Sequence, residues 1–160
     1  MTAKKQGGIG LLEVLIAIVI LSIGFLASAR MQAQSLRFSQ SAYFQSQANL
    51  IATEVIDRMR ANSGGVSGGN YDNQTVNATS AEPPVNCSTS SCSPQNVASS
   101  DLANLGLQLQ ILPSATNVQA RGVISDDGDN QYTVSIFWAE MVNGSFEERT
   151  VALSFVAEGS

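Results

Sequence analysis

From Ile9 to Ala29 the chain is apolar at nearly every position, reading IGLLEVLIAIVILSIGFLASA, and Glu13 is the only charge in it. A helix needs about 20 such residues to cross the hydrocarbon core of a bilayer. Beyond this block the pattern changes without a break. From Met31 to about Ala61 there is no Pro or Gly, and Phe44, Ala48, Ile51, Val55 and Met59 recur at spacings of three or four. That is the period of one helix face, and it predicts an amphipathic continuation of the apolar helix. Gly10 to Ala61 would then form one rod of about 80 Å at about 1.5 Å per residue, too long for a compact domain of this size. Gly24 is a point where it could bend, and the Gly-, Asn- and Ser-rich stretch Asn62 to Asn70 ends it.

Ser63 to Ser93 reads as loop: it is rich in Ser, Thr, Asn and Gly, contains Pro83-Pro84 and has no apolar period. Ser93 followed by Pro94 then has the form of an N-cap with Pro at the first helical position. Val97, Leu102, Leu105, Leu109 and Leu112 follow at near-helical spacing, and Pro113 closes this second, short helix. Such a leucine face packs against a sheet more often than it binds a ligand. Three β segments are predicted after it, at about Asn117 to Ile124, Tyr132 to Glu140 and Phe146 to Val156. In the second, Tyr132, Val134, Ile136 and Trp138 alternate with Thr133, Ser135, Phe137 and Ala139, the period of a half-buried strand. Asn143-Gly144 suits a tight hairpin turn. The expected fold is α+β: a long N-terminal helix packed on a small antiparallel sheet of about three strands, with one extra short helix and a disulfide loop.

Composition narrows the chemistry. The chain has 160 residues and is 44% hydrophobic, but much of that content lies in the N-terminal block, so the remaining core is modest and a large catalytic cleft is not expected. Histidine is absent, which removes the commonest general base, the imidazole metal ligand and every Ser/His/Asp or Cys/His arrangement. No enzyme, cofactor, metal site or small-molecule substrate is expected. Both lysines, Lys4 and Lys5, fall in the first eight residues, so the rest of the chain has six basic residues, all arginine, against 13 acidic ones. An acidic chain without a basic patch does not release counterions from a phosphate backbone, and nucleic acid is not expected as a partner. The run Asp126-Asp127-Gly128-Asp129-Asn130 offers oxygen ligands but misses the spacing of an EF-hand loop, and it reads as a solvated turn between strands. Sequons such as Asn73-Gln74-Thr75 arise by chance in so Asn- and Thr-rich a stretch.

Lys4 and Lys5 hold the N-terminal end in the cytoplasm, so the chain beyond the apolar helix is exported. Cys87 and Cys92, the only cysteines, would then meet oxidising conditions and are expected to close a small disulfide loop. Two thiols without His are a weak metal site, and their spacing is not that of a thioredoxin motif. Three readings of the N-terminus compete. Ala27-Ser28-Ala29 fits the cleavage rule of a secretory signal, although that reading must accommodate an acidic residue and a long apolar stretch. A plain membrane anchor fits the length but gives no reason to keep Glu13, whose charge would cost about 2.5–3.5 kcal/mol at the bilayer centre and less near its edge.

The third reading accounts for both features. Gly7-Gly8-Ile9-Gly10-Leu11-Leu12-Glu13-Val14-Leu15 resembles the class III signal of type IV prepilins, a short basic leader ending in Gly and followed by an apolar helix with Glu at its fifth position. The resemblance implies cleavage between Gly8 and Ile9 by a prepilin peptidase, methylation of the new amine at Ile9, and a role for Glu13 in subunit assembly. Ile9 stands where Phe is usual, and Gly10 where Thr or Ser is usual. Arg58-Met59-Arg60-Ala61-Asn62, the Gly-rich stretch to Tyr71, Cys92-Ser93-Pro94-Gln95 with Asp101-Leu102, Leu112-Pro113 and an aromatic strand ending near Trp138 resemble the PilV family of minor pilins. That likeness covers nearly the whole chain and implies a low-abundance subunit that joins other minor pilins and the major pilin in priming pilus assembly. The alternatives are a type II secretion pseudopilin and a pilus-tip adhesin.

On this reading residues 1–8 are the leader, 9–29 the transmembrane and filament-core helix, and 30–62 its amphipathic continuation. Residues 63–93 form the loop with the disulfide, and 94–160 the short helix and sheet of a globular head. The chain would lie in the inner membrane with its head in the periplasm, and then in the extracellular pilus. Arg58 and Arg60, near the end of the long helix, suit its dipole and last carbonyls, and contact with a neighbouring minor pilin is the functional alternative.

Overall fold

The protein is described from a computed structural model over residues 10–78, 91–142 and 144–157. Its first element, α1, is a 51-residue helix, Leu11–Ala61. Gly24 is its only glycine and it contains no proline, so nothing in the chain removes a backbone donor along its course. The hydroxyls of its apolar part are satisfied within the helix: Ser22 Oγ donates to the Ile18 carbonyl at 2.7 Å and Ser28 Oγ to the Gly24 carbonyl at 3.0 Å. Such back-bonding is what a polar side chain needs where water is absent. The chain divides into two compact units, Met1–Ser41 and Ala42–Ser160. In the first, every side chain from Leu11 to Gln40 is exposed.

The second unit contains the core. The part of α1 inside it buries Ala48, Ile51, Ala52, Val55, Ile56 and Met59, the stripe that the spacing predicts, with Phe44 packed at its margin. These residues join one cluster with Ile124, Tyr132, Val134, Ile136, Trp138 and Phe155 from the sheet. The short helix α3, Pro94–Leu109, starts as expected, with Ser93 Oγ accepting from the Asn96 N–H at 3.3 Å and Pro94 in the first turn. It contributes Ala98, Leu105 and Leu109 to the same cluster. It approaches the sheet closely at Gly122, where a Cβ would stand 2.9 Å from the Cδ2 of Leu105, itself almost fully buried.

The sheet is an antiparallel meander in the order β1-β2-β3-β4, formed by Gln74–Asn77, Arg121–Gly128, Gln131–Val142 and Ser145–Val156. Tyr132, Val134, Ile136 and Trp138 face the core, and their opposite numbers on β4 are Phe155, Leu153, Val151 and Arg149. Two tight connections set the register. Gly128, Asp129 and Asn130 take φ of 83°, 52° and 59° at the β2–β3 turn, a conformation that Gly, Asp and Asn tolerate best. The Asp126–Asn130 run is thus an exposed strand end and turn. At the β3–β4 connection Gly144 has φ of 89°, between the paired Val142 and Ser145.

The sheet has four strands where three were expected. The additional one, β1, lies in the stretch read as loop: Gln74 pairs with Ile124 and Asn77 with Arg121. Its four residues contain one apolar side chain, Val76, too few to show a period, and its extended form depends on the free edge of β2. The turn after α1 also differs. Asn62 caps a further helical turn, α2, Ser63–Ser67. Before β2, the segment expected to be strand from Asn117 instead forms a small bridge between Ala115 and Val118.

Candidate functional site

Glu13 stands in the first turn of α1 and is exposed, where a carboxylate also suits the positive end of the helix dipole. Gly8, Ile9 and Cys87 lie outside the described residues. Cys92 immediately precedes the cap of α3.

Arg58 is at the centre of a side-chain cluster in the second unit. Its Nε and one terminal nitrogen donate to Glu54 Oε1 at 3.0 and 2.7 Å, and the other donates to Asp101 Oδ1 at 3.2 Å. Asp101 comes from α3, where it occupies the apolar stripe between Ala98 and Leu105 and is buried. Its second oxygen accepts from the Tyr71 hydroxyl at 2.6 Å. That hydroxyl accepts in turn from Asn62 Nδ2 at 2.9 Å, and Asn62 also donates to the Pro94 carbonyl at 2.8 Å while its Oδ1 accepts from the Gly65 N–H at 3.2 Å. A Cβ on Gly65 would overlap the Asn62 amide, so glycine there lets the amide sit against the backbone. Gln108 donates to the other oxygen of Glu54 at 2.7 Å. One connected network thus joins the end of α1, the turn of α2, the segment after it and α3.

Glu54, Arg58 and Tyr71 are each shifted in the direction such a network favours. The hydrogen bonds from Arg58, assisted by Gln108, hold the Glu54 carboxyl below its ordinary value, and the bond to Glu54 raises Arg58. Burial, reinforced by the bond to Asp101, pushes the Tyr71 hydroxyl well above its ordinary value. Tyr132, stacked on Phe155 and donating to Asp72 Oδ1 at 2.9 Å, is pushed up to about 12, first by burial and then by that bond. Both tyrosines are held neutral and donating, so their bonds fix the elements that they join.

A pH dependence follows. The stability contributed by a group with a raised value is complete below the ordinary 10.0 of tyrosine and is lost as pH rises through the folded value, about 12 for Tyr132. The urea midpoint of the full-length protein in detergent is therefore expected to fall from pH 10 upward, and Tyr132→Phe to flatten that fall. A midpoint unchanged between pH 9 and 12 would contradict it. Trp138, the one tryptophan and almost fully buried, reports the unfolding by its fluorescence.

Arg60 is placed differently from Arg58. It lies 3.6 Å from Asp57, with both side chains more than half exposed, and its guanidinium sits 5.3 Å from the ring centre of Phe155. Sequence patterns gave no role to Asn62, Tyr71 and Asp101, although each stood among the residues of the resemblance. One signal was present: an aspartate on the apolar stripe of α3 needs a buried partner.

Comparison with known families agrees with the N-terminal and middle parts of the chain. Residues 3–29 match the prokaryotic N-terminal methylation motif, and residues 30–103 match the family of type IV pilin Tt1218. No curated protein and no solved structure matches. The helix Leu11–Ala61 is long and apolar enough to cross a membrane by length and composition. A methylation motif of this kind implies processing by a prepilin peptidase and assembly with other pilins. With that motif, a pilin-like sequence over the next 74 residues, and a long helix followed by a small antiparallel sheet, the chain is similar to type IV pilins, the components of pili and pseudopili.

Proposed function

We propose that the protein is a minor pilin of the PilV type, acting with other minor pilins and the major pilin to prime type IV pilus assembly, at the filament tip. The observation that supports this over the wider superfamily is a coincidence of residues. Arg58, Asn62, Tyr71, Pro94 and Asp101 carry the PilV resemblance, and the same five are joined in one network of the head, with Asn62, Tyr71 and Asp101 buried. The leader motif by itself is shared with type II secretion pseudopilins. Deleting the gene and then imaging surface pili while assaying secretion tests the reading. Loss of pili with normal secretion is expected; loss of secretion with normal pili would make the chain a pseudopilin, and normal pili with lost attachment would make it an adhesin.

In this reading residues 1–8 are removed in the cytoplasm, residues 9–29 hold the chain in the inner membrane, and residues 30–62, 63–93 and 94–160 form the stalk, loop and head on the periplasmic side. Mass spectrometry is expected to find a mature chain beginning at methylated Ile9. Gly8 lacks a side chain, which lets the peptidase approach the backbone, so Gly8→Val is expected to leave uncut precursor in the membrane. A chain beginning at Arg30 would instead mark ordinary signal cleavage.

Cys87 and Cys92 pair as a disulfide in the exported head, a short closed loop that shapes the approach to the Ser93 cap more than the sheet. In protein recovered from the periplasmic side, both thiols are expected to resist alkylation until reduced. Immediate labelling of native protein would refute the pairing.

A further inference from the structure

The last strand, β4, is an edge strand, with β3 its one neighbour in the sheet. Among the described residues none of its backbone groups bonds to anything but β3. A free edge offers a row of unpaired N–H and C=O groups to any extended segment, so natural edges are short, charged, bulged or interrupted by proline. β4 has 12 residues, Ser145–Val156, about twice the length of an ordinary strand. Its register with β3 runs without a shift from Val142 and Ser145 to Gln131 and Val156, whereas the β2–β3 pair is shifted between Asp126 and Gly128.

Charge protects only one half of this edge. Toward the hairpin turn Glu147, Glu148 and Arg149 follow one another, with Glu148 paired to Arg121 and Arg149 to Glu140. The other half, Thr150–Val156, is seven residues long and contains no charge, proline or glycine, a composition suited to strand addition. Phe155 and Leu153 turn to the core side, so Ala152 and Val156 stand on the opposite face. Both are exposed, Val156 at 63%.

We propose that Thr150–Val156 is a strand-addition edge that takes the first strand of a neighbouring pilin-type head, antiparallel, so that the two sheets join into one. The inference rests on the pilin reading. Two geometric facts select this occupant. Pairing with β4 of a second copy, antiparallel, requires a two-fold axis perpendicular to the sheet, and such an axis reverses the part of α1 packed on it; subunits anchored in one membrane keep their helices in one direction. A four-stranded antiparallel meander gives its two outer strands opposite directions, so a neighbour of the same topology and orientation offers its first strand to β4 antiparallel. The first strand of this chain, Gln74–Asn77, is itself uncharged. Backbone hydrogen bonds supply the affinity in this mode, and the flanking side chains the selectivity.

The test uses the full-length chain in cells. A152K/V156K places two cations on the exposed edge, the device by which natural edges refuse partners. It is expected to keep its urea midpoint and its leader cleavage, yet to fall about tenfold or more in sheared filaments, as the loss of one or two backbone hydrogen bonds requires. Ser135→Lys, on the same face but on β3 opposite Ala152, is expected to retain most incorporation. A photo-reactive benzoylphenylalanine in place of Val156 is expected to cross-link to the first strand of a pilin-type head, identified by peptide mass spectrometry. Wild-type incorporation of A152K/V156K, or an equal loss with Ser135→Lys, which would mark a contact of the face, would overturn the proposal. So would adducts to phospholipid alone or to β4 of a second copy. If A152K/V156K lowers the urea midpoint, the cross-link at Val156 decides by itself. Absence of the wild-type chain from filaments would instead count against the pilin reading, and the partner cross-linked in the membrane would still decide this one.

Discussion

Asp101→Ala is expected to destabilise the head by about 2–3 kcal/mol, because it leaves two polar partners without their acceptor. The Tyr71 hydroxyl is buried and loses its 2.6 Å bond, which carries most of the effect. Arg58 loses its 3.2 Å contact, but its side chain is 38% exposed and keeps Glu54, so water replaces much of what the carboxylate supplied. The measurement is urea unfolding of the full-length protein in detergent, followed by Trp138 fluorescence. Asp57→Ala is the control: the pair it breaks with Arg60 is exposed on both sides, and a change under about 0.5 kcal/mol is expected. Equal effects of the two substitutions would mean that Asp101 is merely a surface acid. Because the network joins α1 to α3, Asp101→Ala should also lower the amount of protein in filaments, through lost folded head and without any change in leader cleavage.

Glu13→Leu is expected to have the opposite profile, with stability intact and assembly lost. Glu13 is exposed in the first turn of α1, so no contact within the described residues of the chain depends on it. A carboxylate in an apolar filament core needs a compensating charge once water is excluded, and on the proposed reading the free amine of Ile9 on an adjacent subunit would supply one. That pairing would fix the axial register between helices. The variant should enter the membrane and lose its leader after Gly8, since removing a charge eases insertion. Its amount in sheared pili should fall about tenfold or more, the consequence of leaving the neighbour's amine buried and unpaired, and pilus number should drop as in the deletion strain. Wild-type amounts in the pilus fraction would mean that Glu13 only snorkels to the membrane edge.

The two predictions rest on different kinds of legibility. The helical period from Phe44 to Met59 is a local property, repeated every turn, and it alone determined which face of α1 is buried. The alternation from Tyr132 to Trp138 did the same for β3, and Ser93-Pro94 placed the start of α3 to the residue. The methylation motif needed no fold at all, because a peptidase reads it as sequence. Tertiary structure decided what has no period. The four residues of β1 are extended because the edge of β2 offers unpaired backbone groups, not because Gln-Thr-Val-Asn demands it. The roles of Asn62, Tyr71 and Asp101 depend on contacts spanning 9, 30 and 43 residues. No short-range pattern reveals that a tyrosine in a Gly-rich stretch and an aspartate on a leucine helix share a proton donor and acceptor. Burial makes the pairing obligatory, since in a dry core each polar group is stable only when it finds the other.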